Sequence, residues 1–157
     1  MKLNTIVSER ALREIYLKGF EIAVKKSNPW TLMTSYNLIN GSYTSESKDL
    51  ISTILRKEWG FKGLVMSDWY AGQNAAVSLG SGNDLQMPGR PDQVQTIING
   101  VKNGSLAMSD LDSSVERVLN LIVKTITFNN YNYSNEPDLM ANAAVSRMVA
   151  SEGMVLL

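Results

Sequence analysis

The stretch Gly63-Leu64-Val65-Met66-Ser67-Asp68-Trp69 determines the fold of this chain. An apolar run bounded by turn residues is typical of a strand that is buried on both faces, as in parallel sheets. Asp68 is therefore predicted to lie at the carboxyl end of that strand, where α/β enzymes place their catalytic groups. A carboxylate next to the large flat indole of Trp69 indicates carbohydrate chemistry.

Helices and strands alternate on both sides of this stretch. Apolar residues at helical spacing predict helices over residues 8–26, 47–59, 72–79 and 91–103. A run rich in β-forming residues predicts a strand over residues 31–36, and the apolar run over residues 63–67 predicts another. Asn40-Gly41-Ser42 predicts a turn, and the segment that follows Gly80-Ser81-Gly82 looks like a further strand. This alternation predicts an α/β fold with a parallel sheet, wound either as an open sheet or as a barrel.

The pattern changes after Gly104. Ser109-Asp110-Leu111-Asp112 has the form of a capping box and predicts the start of a long amphipathic helix that extends to about Ile126. A polar, turn-rich linker is predicted over residues 129–135, and another helix over residues 137–151. Only about three βα units fit before Gly104, whereas a complete barrel needs eight, so the chain is expected to be a fragment.

The composition excludes several classes of chemistry. The 157 residues contain neither cysteine nor histidine, which excludes disulfides, imidazole bases and Ser-His-Asp triads within this chain. Acid–base chemistry must therefore use carboxylates, tyrosine or lysine. The 15 basic residues balance the 15 acidic ones, so no nucleic-acid partner is expected. No segment resembles a signal peptide or a membrane span, so a soluble piece without a membrane partner is expected, in an undetermined compartment.

Asp68 and Trp69 are the main candidates for chemistry. A carboxylate at a strand end can attack an anomeric carbon or act as a base, but it can equally cap the next helix or bind backbone amides. An exposed indole at Trp69 would offer an apolar platform for a sugar, and a buried one would be part of the core. The residues alone leave both alternatives open.

Several other residues are weaker candidates for a functional role. Met33, Ser35 and Tyr36 lie at the end of the preceding strand and should open on the same face as Asp68. The Tyr36 hydroxyl could orient the carboxylate there, or the residue could pack as an ordinary barrel tyrosine. Asp84 follows two glycines but lacks a phosphate-loop pattern, so it is predicted to stabilise its own turn by local hydrogen bonds. Glu46 is predicted to occupy the first turn of a helix.

The chain resembles the β-glucosidases of glycoside hydrolase family 3. The similarity covers residues 54–71, ILRKEWGFKGLVMSDWYA, which resemble the active-site signature of that family. Residues 9–17 and 33–37 upstream, and residues 82–88 and 111–119 downstream, are similar to family segments in the same order. Nearly the whole chain is covered.

The resemblance implies a fold and a division into domains. Residues 1–106 would form the last three βα units of a (β/α)8 barrel. Residues 107–136 would form a connecting helix and linker. Residues 137–157 would form the first element of an α/β sandwich domain. The sugar-binding arginine and Lys-His pair of the family would lie upstream, and the general acid, a glutamate, would lie beyond Leu157.

The resemblance also implies an activity. Asp68 would be the nucleophile of a retaining glycosidase that releases terminal β-D-glucosyl residues, without a metal or another cofactor. Tyr36 would contact the nucleophile, and Met33 and Trp69 would line the sugar subsite. The isolated chain would then lack meaningful turnover, because its partner carboxylate lies in the remainder of the polypeptide. The alternative is a non-catalytic carbohydrate-binding or assembly module derived from such a barrel.

Overall fold

The computed structural model describes residues 3–155 as two compact units, divided between Thr125 and Ile126. The strands of the first unit are β1 (Asn4–Thr5), β2 (Thr31–Thr34), β3 (Leu38–Ile39), β4 (Ser42–Tyr43) and β5 (Leu64–Ser67). Its α-helices are α1 (Glu9–Ala11), α2 (Lys18–Ser27), α3 (Ala75–Gly80), α4 (Pro91–Lys102) and α5 (Met108–Ile122). Two segments are π-helical, Leu12–Tyr16 and Asp49–Glu58, and Thr44–Glu46 forms a 3-10 turn. The predicted α/β class is confirmed.

Strands β2 and β5 form the parallel ladder that the sequence predicts, in a register from Thr31 opposite Leu64 to Thr34 opposite Ser67. The strand expected after Gly82 is reduced in the structure to a parallel bridge between Met66 and Leu85. The Asp84 side chain explains this difference. Its carboxylate accepts the backbone N–H of Val65, which a continuous ladder would pair with a carbonyl of the next strand.

The short strands β1, β3 and β4 form a second sheet that the sequence analysis missed. β1 is parallel to β3, and β3 is antiparallel to β4. The predicted turn joins β3 to β4, with φ of +50° at Asn40 and +88° at Gly41, as tight hairpins require. Strands of two residues are too short to show an alternating pattern, so only their turn was visible in the sequence.

The predicted first helix is confirmed, with a π-helical segment between α1 and α2. Ser8 caps its start by accepting the N–H of Ala11 at 3.2 Å, and Asn28 ends it in the left-handed conformation with φ of +46°. This helix and the π helix Asp49–Glu58 cover β5. Their shared core consists of Val24, Ile51, Leu55, Phe61 and Val65.

Helices α3, α4 and α5 surround a second, smaller core of Ala76, Leu79 and Leu106. α3 begins at Ala75 instead of Gly72, because the Asn74 side chain caps it by accepting N–H groups from its first turn. The predicted capping box at Ser109 is wrong. α5 begins two residues earlier, after Ala107, and no side chain caps it.

A buried carboxylate, Asp84, connects these layers. It accepts hydrogen bonds from Arg56 Nη2 at 2.7 Å, Arg117 Nε at 2.8 Å, the Val65 amide at 2.9 Å and Ser114 Oγ at 3.2 Å. The prediction that Asp84 stabilises only its own turn is therefore wrong, because its partners lie on β5, the π helix and α5. Burial is the main cause that lowers the pKa of the Arg56 guanidinium.

The second unit contains α6 (Leu139–Gly153), near the predicted bounds of the last helix. Asp138 caps it by accepting the N–H of Ala141 at 2.9 Å. In the predicted linker, the Tyr131 N–H donates to the Ile126 carbonyl at 3.0 Å, so this segment begins with a turn. Over residues 3–155, no helix has the length and apolar character that crossing a membrane would require.

The Asp84 network makes a strong prediction about stability. Asp84→Asn leaves the charges of Arg56 and Arg117 buried without a counter-charge, and we expect the free energy of unfolding to fall by about 3–5 kcal/mol. Asp92→Asn is the matched control, because Asp92 pairs with Arg90 and its side chain is 65% exposed. We expect the control to cost about 0–1 kcal/mol. Urea unfolding followed by tryptophan fluorescence measures both changes, and equal losses would contradict the role of Asp84.

Ion pairs on the surfaces of α2 and the π helix Asp49–Glu58 predict that the stability of the fold depends on pH. Hydrogen bonds from Lys25 and Lys18 lower the pKa of Glu21 to about 2, and a hydrogen bond from Arg13 lowers the pKa of Glu58. Both carboxylates therefore stabilise the folded state above their unfolded pKa of about 4.3, and this contribution is lost as the pH falls towards 2.

We therefore expect the urea midpoint to decrease between about pH 5 and pH 2. Glu21→Gln, which cannot titrate at this position, should show a smaller decrease. A midpoint that falls equally in the variant and the parent chain would show that the Glu21 ion pairs do not contribute to the pH dependence.

Candidate active site

Asp68 lies directly after β5, as predicted, and its backbone extends the pairing with β2. Its N–H donates to the Thr34 carbonyl at 3.2 Å, so the carboxyl ends of the two strands lie side by side. The Asp68 carboxylate accepts the N–H of Trp69 at 2.6 Å. Of the two structural alternatives for this residue, capping of the next helix is wrong, because Asn74 caps α3. The amide interaction is present, but it involves only the adjacent residue.

Asp68 and Tyr36 line a common cavity of about 290 Å³, together with Leu3, Ser35 and Asn37. The pKa of the Tyr36 phenol is raised, first by desolvation and then by the negative charge of Asp68 and a hydrogen bond with its carboxylate. The phenol therefore stays protonated near neutral pH. The structure brings these two predicted site residues together, at the strand ends where the sequence placed them.

The segment that carries Tyr36 is held by polar side chains on both sides. Ser35 Oγ donates to Asn37 Oδ1 at 2.7 Å, and Thr44 Oγ1 donates to the Ser35 carbonyl at 2.6 Å. Thr44 is buried and belongs to the 3-10 turn, so this turn anchors the backbone next to Tyr36. These contacts restrict the backbone on either side of the Tyr36 ring.

Met33 and Trp69, the other predicted site residues, are exposed and do not line this cavity. Met33 is paired with Met66 in the ladder, and it borders a separate apolar cavity of about 350 Å³. Trp69 is 48% exposed, so the alternative of a core tryptophan is wrong. Trp69 directly follows Asp68 in the chain.

The loop after Asp68 contains a strained residue that the sequence analysis missed. Tyr70 has φ of +62°, a conformation that costs a bulky side chain about 1–3 kcal/mol. The Ala71 N–H closes this turn on the Asp68 carbonyl at 3.1 Å, and the Tyr70 N–H donates to the Met87 carbonyl at 2.9 Å. The Tyr70 ring meets Trp69 edge to face, with centroids 6.4 Å apart and planes at 89°.

Glu46 fixes the end of the same loop. Its carboxylate accepts the N–H of Asn74 at 2.7 Å and also that of Gln73. The prediction that Glu46 stabilises the first turn of its own helix is wrong, because it lies in the 3-10 turn and bonds residues far along the chain. Gly72 permits this close approach. It has φ of +80°, and a Cβ there would lie 2.7 Å from Ser45 Oγ.

Comparison with known proteins agrees with the resemblance seen in the sequence. Residues 2–121 match the family described as "Glycosyl hydrolase family 3 N terminal domain". The chain is 42% identical to β-glucosidase B of Emericella nidulans, over 99% of this chain and 19% of that protein. It is 38% identical to an exo-α-(1→6)-L-arabinopyranosidase of Bifidobacterium breve, over 100% of this chain and 20% of that protein.

Solved structures give the same result. The structure of β-glucosidase 3B from Thermotoga neapolitana in complex with glucose superposes with a TM-score of 0.91 at 51% identity. That similarity covers 99% of this chain and 23% of the solved chain. The chain thus spans about a fifth of the length of the curated relatives that it matches.

The contact between Tyr36 and Asp68 predicts a measurable change in ionisation. Asp68→Asn removes the negative charge, so the pKa of Tyr36 should fall towards the ordinary value of about 10 while desolvation keeps it somewhat higher. A pH titration of the tyrosine ring carbons by NMR measures this, with Tyr36→Phe identifying the signal. Asp92→Asn is the control and should leave the pKa unchanged. An equal pKa in the parent and in Asp68→Asn would contradict the contact.

Proposed function

This chain belongs to glycosyl hydrolase family 3, and we propose that it supplies the nucleophile half of the active site of a retaining β-glucosidase. The complete polypeptide would release terminal, non-reducing β-D-glucosyl residues. The observation that carries this proposal is the Asp68 carboxylate at a strand end, beside the protonated phenol of Tyr36 in one cavity.

The chemistry assigned to Asp68 is a double displacement. One carboxylate oxygen attacks the anomeric carbon, while the bond to the leaving group breaks and a general acid protonates the departing oxygen. The covalent glycosyl–aspartate is then hydrolysed by water, whose proton returns to the same acid. The two carboxyl groups of such a pair lie about 5 Å apart. Tyr36 would orient the attacking carboxylate by donating its hydroxyl hydrogen.

We assign the general acid to a glutamate in the remainder of the polypeptide. The chain covers only 19% of the length of its fungal relative, which leaves ample sequence for a second domain. Met33 and Trp69 are assigned to substrate binding, since both are exposed near the ends of β2 and β5. No cofactor is assigned, because a carboxylate pair performs this reaction without one.

We also propose that residues 1–106 are the last three βα units of a (β/α)8 barrel. The parallel order of β2, β5 and the Leu85 bridge is what consecutive barrel strands would show. In the complete protein, residues 1–106 would end the barrel, residues 107–136 would connect it, and residues 137–157 would begin an α/β sandwich domain. Residues 156 and 157 lie outside the described part of the chain.

A second substrate is favoured by one relative, the exo-α-(1→6)-L-arabinopyranosidase that is 38% identical to this chain. Terminal L-arabinopyranosyl groups are therefore the alternative substrate for the same site. A non-catalytic carbohydrate-binding or assembly module is the alternative from another class, favoured by the large apolar side chains exposed along α2 and the π-helical segment Leu12–Tyr16.

Activity assays separate these possibilities. The full-length polypeptide should hydrolyse an aryl β-D-glucoside faster than an aryl α-L-arabinopyranoside, and the reverse order would favour the second substrate. The 157-residue chain alone should show no meaningful turnover, because it lacks the general acid. Turnover by the short chain at an ordinary enzymatic rate would contradict that assignment. Absence of hydrolysis by the full-length protein would favour the non-catalytic module.

The nucleophile assignment has its own test. Asp68→Asn in the full-length polypeptide should lower kcat by about a thousandfold or more, because no covalent intermediate can form. A fluorinated glucoside that slows hydrolysis of the intermediate should label the peptide that contains Asp68, as measured by mass spectrometry. Asp92→Asn is the matched control and should retain activity. Normal activity in Asp68→Asn would refute the assignment.

A further inference from the structure

The 3-10 turn Thr44–Glu46, called the bridging turn below, contacts both of the segments that meet at the candidate active site. On one side, Thr44 Oγ1 donates to the Ser35 carbonyl at 2.6 Å, and the Thr44 N–H donates to the Asn37 carbonyl at 3.4 Å. These two carbonyls flank Tyr36 in the chain. One buried threonine therefore holds the backbone on either side of the phenol.

On its other side, the bridging turn holds the loop that follows Asp68. A single oxygen of the Glu46 carboxylate, Oε1, accepts the N–H groups of both Gln73 and Asn74, the latter at 2.7 Å. The approach is close, because a Cβ added at Gly72 would lie 3.0 Å from that oxygen. Hydrogen bonds to an ionised carboxylate are roughly twice as strong as bonds between neutral groups. Glu46 therefore restricts the end of this loop that is farther from Asp68 in the chain.

The bridging turn is itself fixed to α3. Ser45 is fully buried, and its carbonyl accepts a hydrogen bond from Ser78 Oγ at 2.9 Å. The Glu46 carbonyl accepts one from Ser81 Oγ, also at 2.9 Å. Two loops that are bonded to one rigid element keep a constant position relative to each other, and supporting contacts of this kind hold functional groups in place.

The two loops carry the pair of groups whose separation matters for the chemistry. Tyr36 and Asp68 line one cavity, and the phenol shares a hydrogen bond with the carboxylate. A misplacement of about 1 Å between reacting groups can lower a rate about a hundredfold. Neither Thr44 nor Glu46 is among the described residues that line this cavity, so their effect on the reaction has to pass through Tyr36 and Asp68.

We propose that Glu46 is a positioning residue, which acts together with Thr44 through the bridging turn to hold the Asp68 carboxylate against the Tyr36 hydroxyl. This inference rests on the proposed glycosidase function. It gives a part in catalysis to a carboxylate that the sequence assigned only to the first turn of a helix.

The kinetic test compares two variants of Glu46 in the full-length polypeptide. Glu46→Ala removes the oxygen that both N–H groups use, whereas Glu46→Gln keeps an acceptor oxygen there without the charge. On an aryl β-D-glucoside, kcat should fall about tenfold in Glu46→Ala while KM stays within about threefold, because the nucleophile is misaligned and the substrate contacts remain. In Glu46→Gln, kcat should stay within about threefold of the parent value.

The ionisation of Tyr36 separates positioning from a general loss of stability. When the Asp68 carboxylate moves away from the phenol, the pKa of Tyr36 should fall towards the ordinary value of about 10. This decrease is expected in Glu46→Ala and not in Glu46→Gln, and the NMR titration of the tyrosine ring carbons measures it. A purely stabilising contact would lower the melting temperature of Glu46→Ala without changing this pKa.

A double-mutant cycle tests whether Glu46 acts through Tyr36. Tyr36→Phe already removes the hydrogen bond that the bridging turn aligns, so adding Glu46→Ala should lower kcat by less than about threefold more. Independent sites would instead multiply their separate losses. A further tenfold loss in the double variant would overturn the inference.

Two other results would also overturn it. One is an unchanged Tyr36 pKa in Glu46→Ala, and the other is an equal decrease in Glu46→Gln, which would show that the charge acts instead of the hydrogen bonds. If Glu46→Ala fails to fold, Glu46→Asp carries the same tests, because its shorter side chain keeps the charge but moves the oxygen away from both N–H groups. A parent enzyme that hydrolyses no glucoside would refute the proposed function, and the pKa comparison would then decide the positioning role alone.

Discussion

The position of the candidate nucleophile depends on a buried carboxylate elsewhere in the chain. Asp84 bonds the Val65 amide in the middle of β5, and two arginines compensate its charge from the π helix and from α5. Arg56 also donates to the carbonyls of Gly63 and Gly82, at 3.0 and 2.8 Å, so one guanidinium joins the start of β5 to the segment that leads to Asp84. A buried ion network of this kind adds little net stability but strongly penalises other arrangements. It therefore fixes β5, and with it the place where the strand ends.

The loop after β5 is held by hydrogen bonds at both ends and strained at Tyr70. Asp68 lies directly after the end of β5. In the loop that follows, the Tyr70 N–H donates to the Met87 carbonyl and the Asn74 N–H donates to the Glu46 carboxylate. The strain at Tyr70 persists because these hydrogen bonds over-determine its backbone. Supporting hydrogen bonds of this kind are what hold a reactive group in place before substrate binds. The two anchors thus account for a loop that is exposed and yet has a defined conformation.

Sequence patterns predicted the parts of this structure whose conformation depends on residues close together in the chain. The apolar run before Asp68 predicted β5, and parallel strand ends predicted that Tyr36 and Asp68 would be neighbours. Asp84, Glu46 and Tyr70 could not be predicted in this way, because their roles come from partners 17 to 33 residues away. The wrong capping box has the same origin. Ser109 carries a helix-start pattern, but α5 begins where its packing against α3 and β5 allows.

The geometry around Asp68 bears on the proton donor that the proposed mechanism requires. Efficient proton transfer needs a group whose pKa lies near the working pH. Tyr36 fails this requirement, because desolvation and the charge of Asp68 both raise its pKa and keep the phenol protonated. It can donate a hydrogen bond to the carboxylate, but it is a poor acid for a departing alcohol. The sequence contains no histidine, and no second carboxyl lines the cavity within the described residues. In the mechanism that we propose, this segment therefore holds and orients the nucleophile, and the proton donor is assigned to another part of the polypeptide.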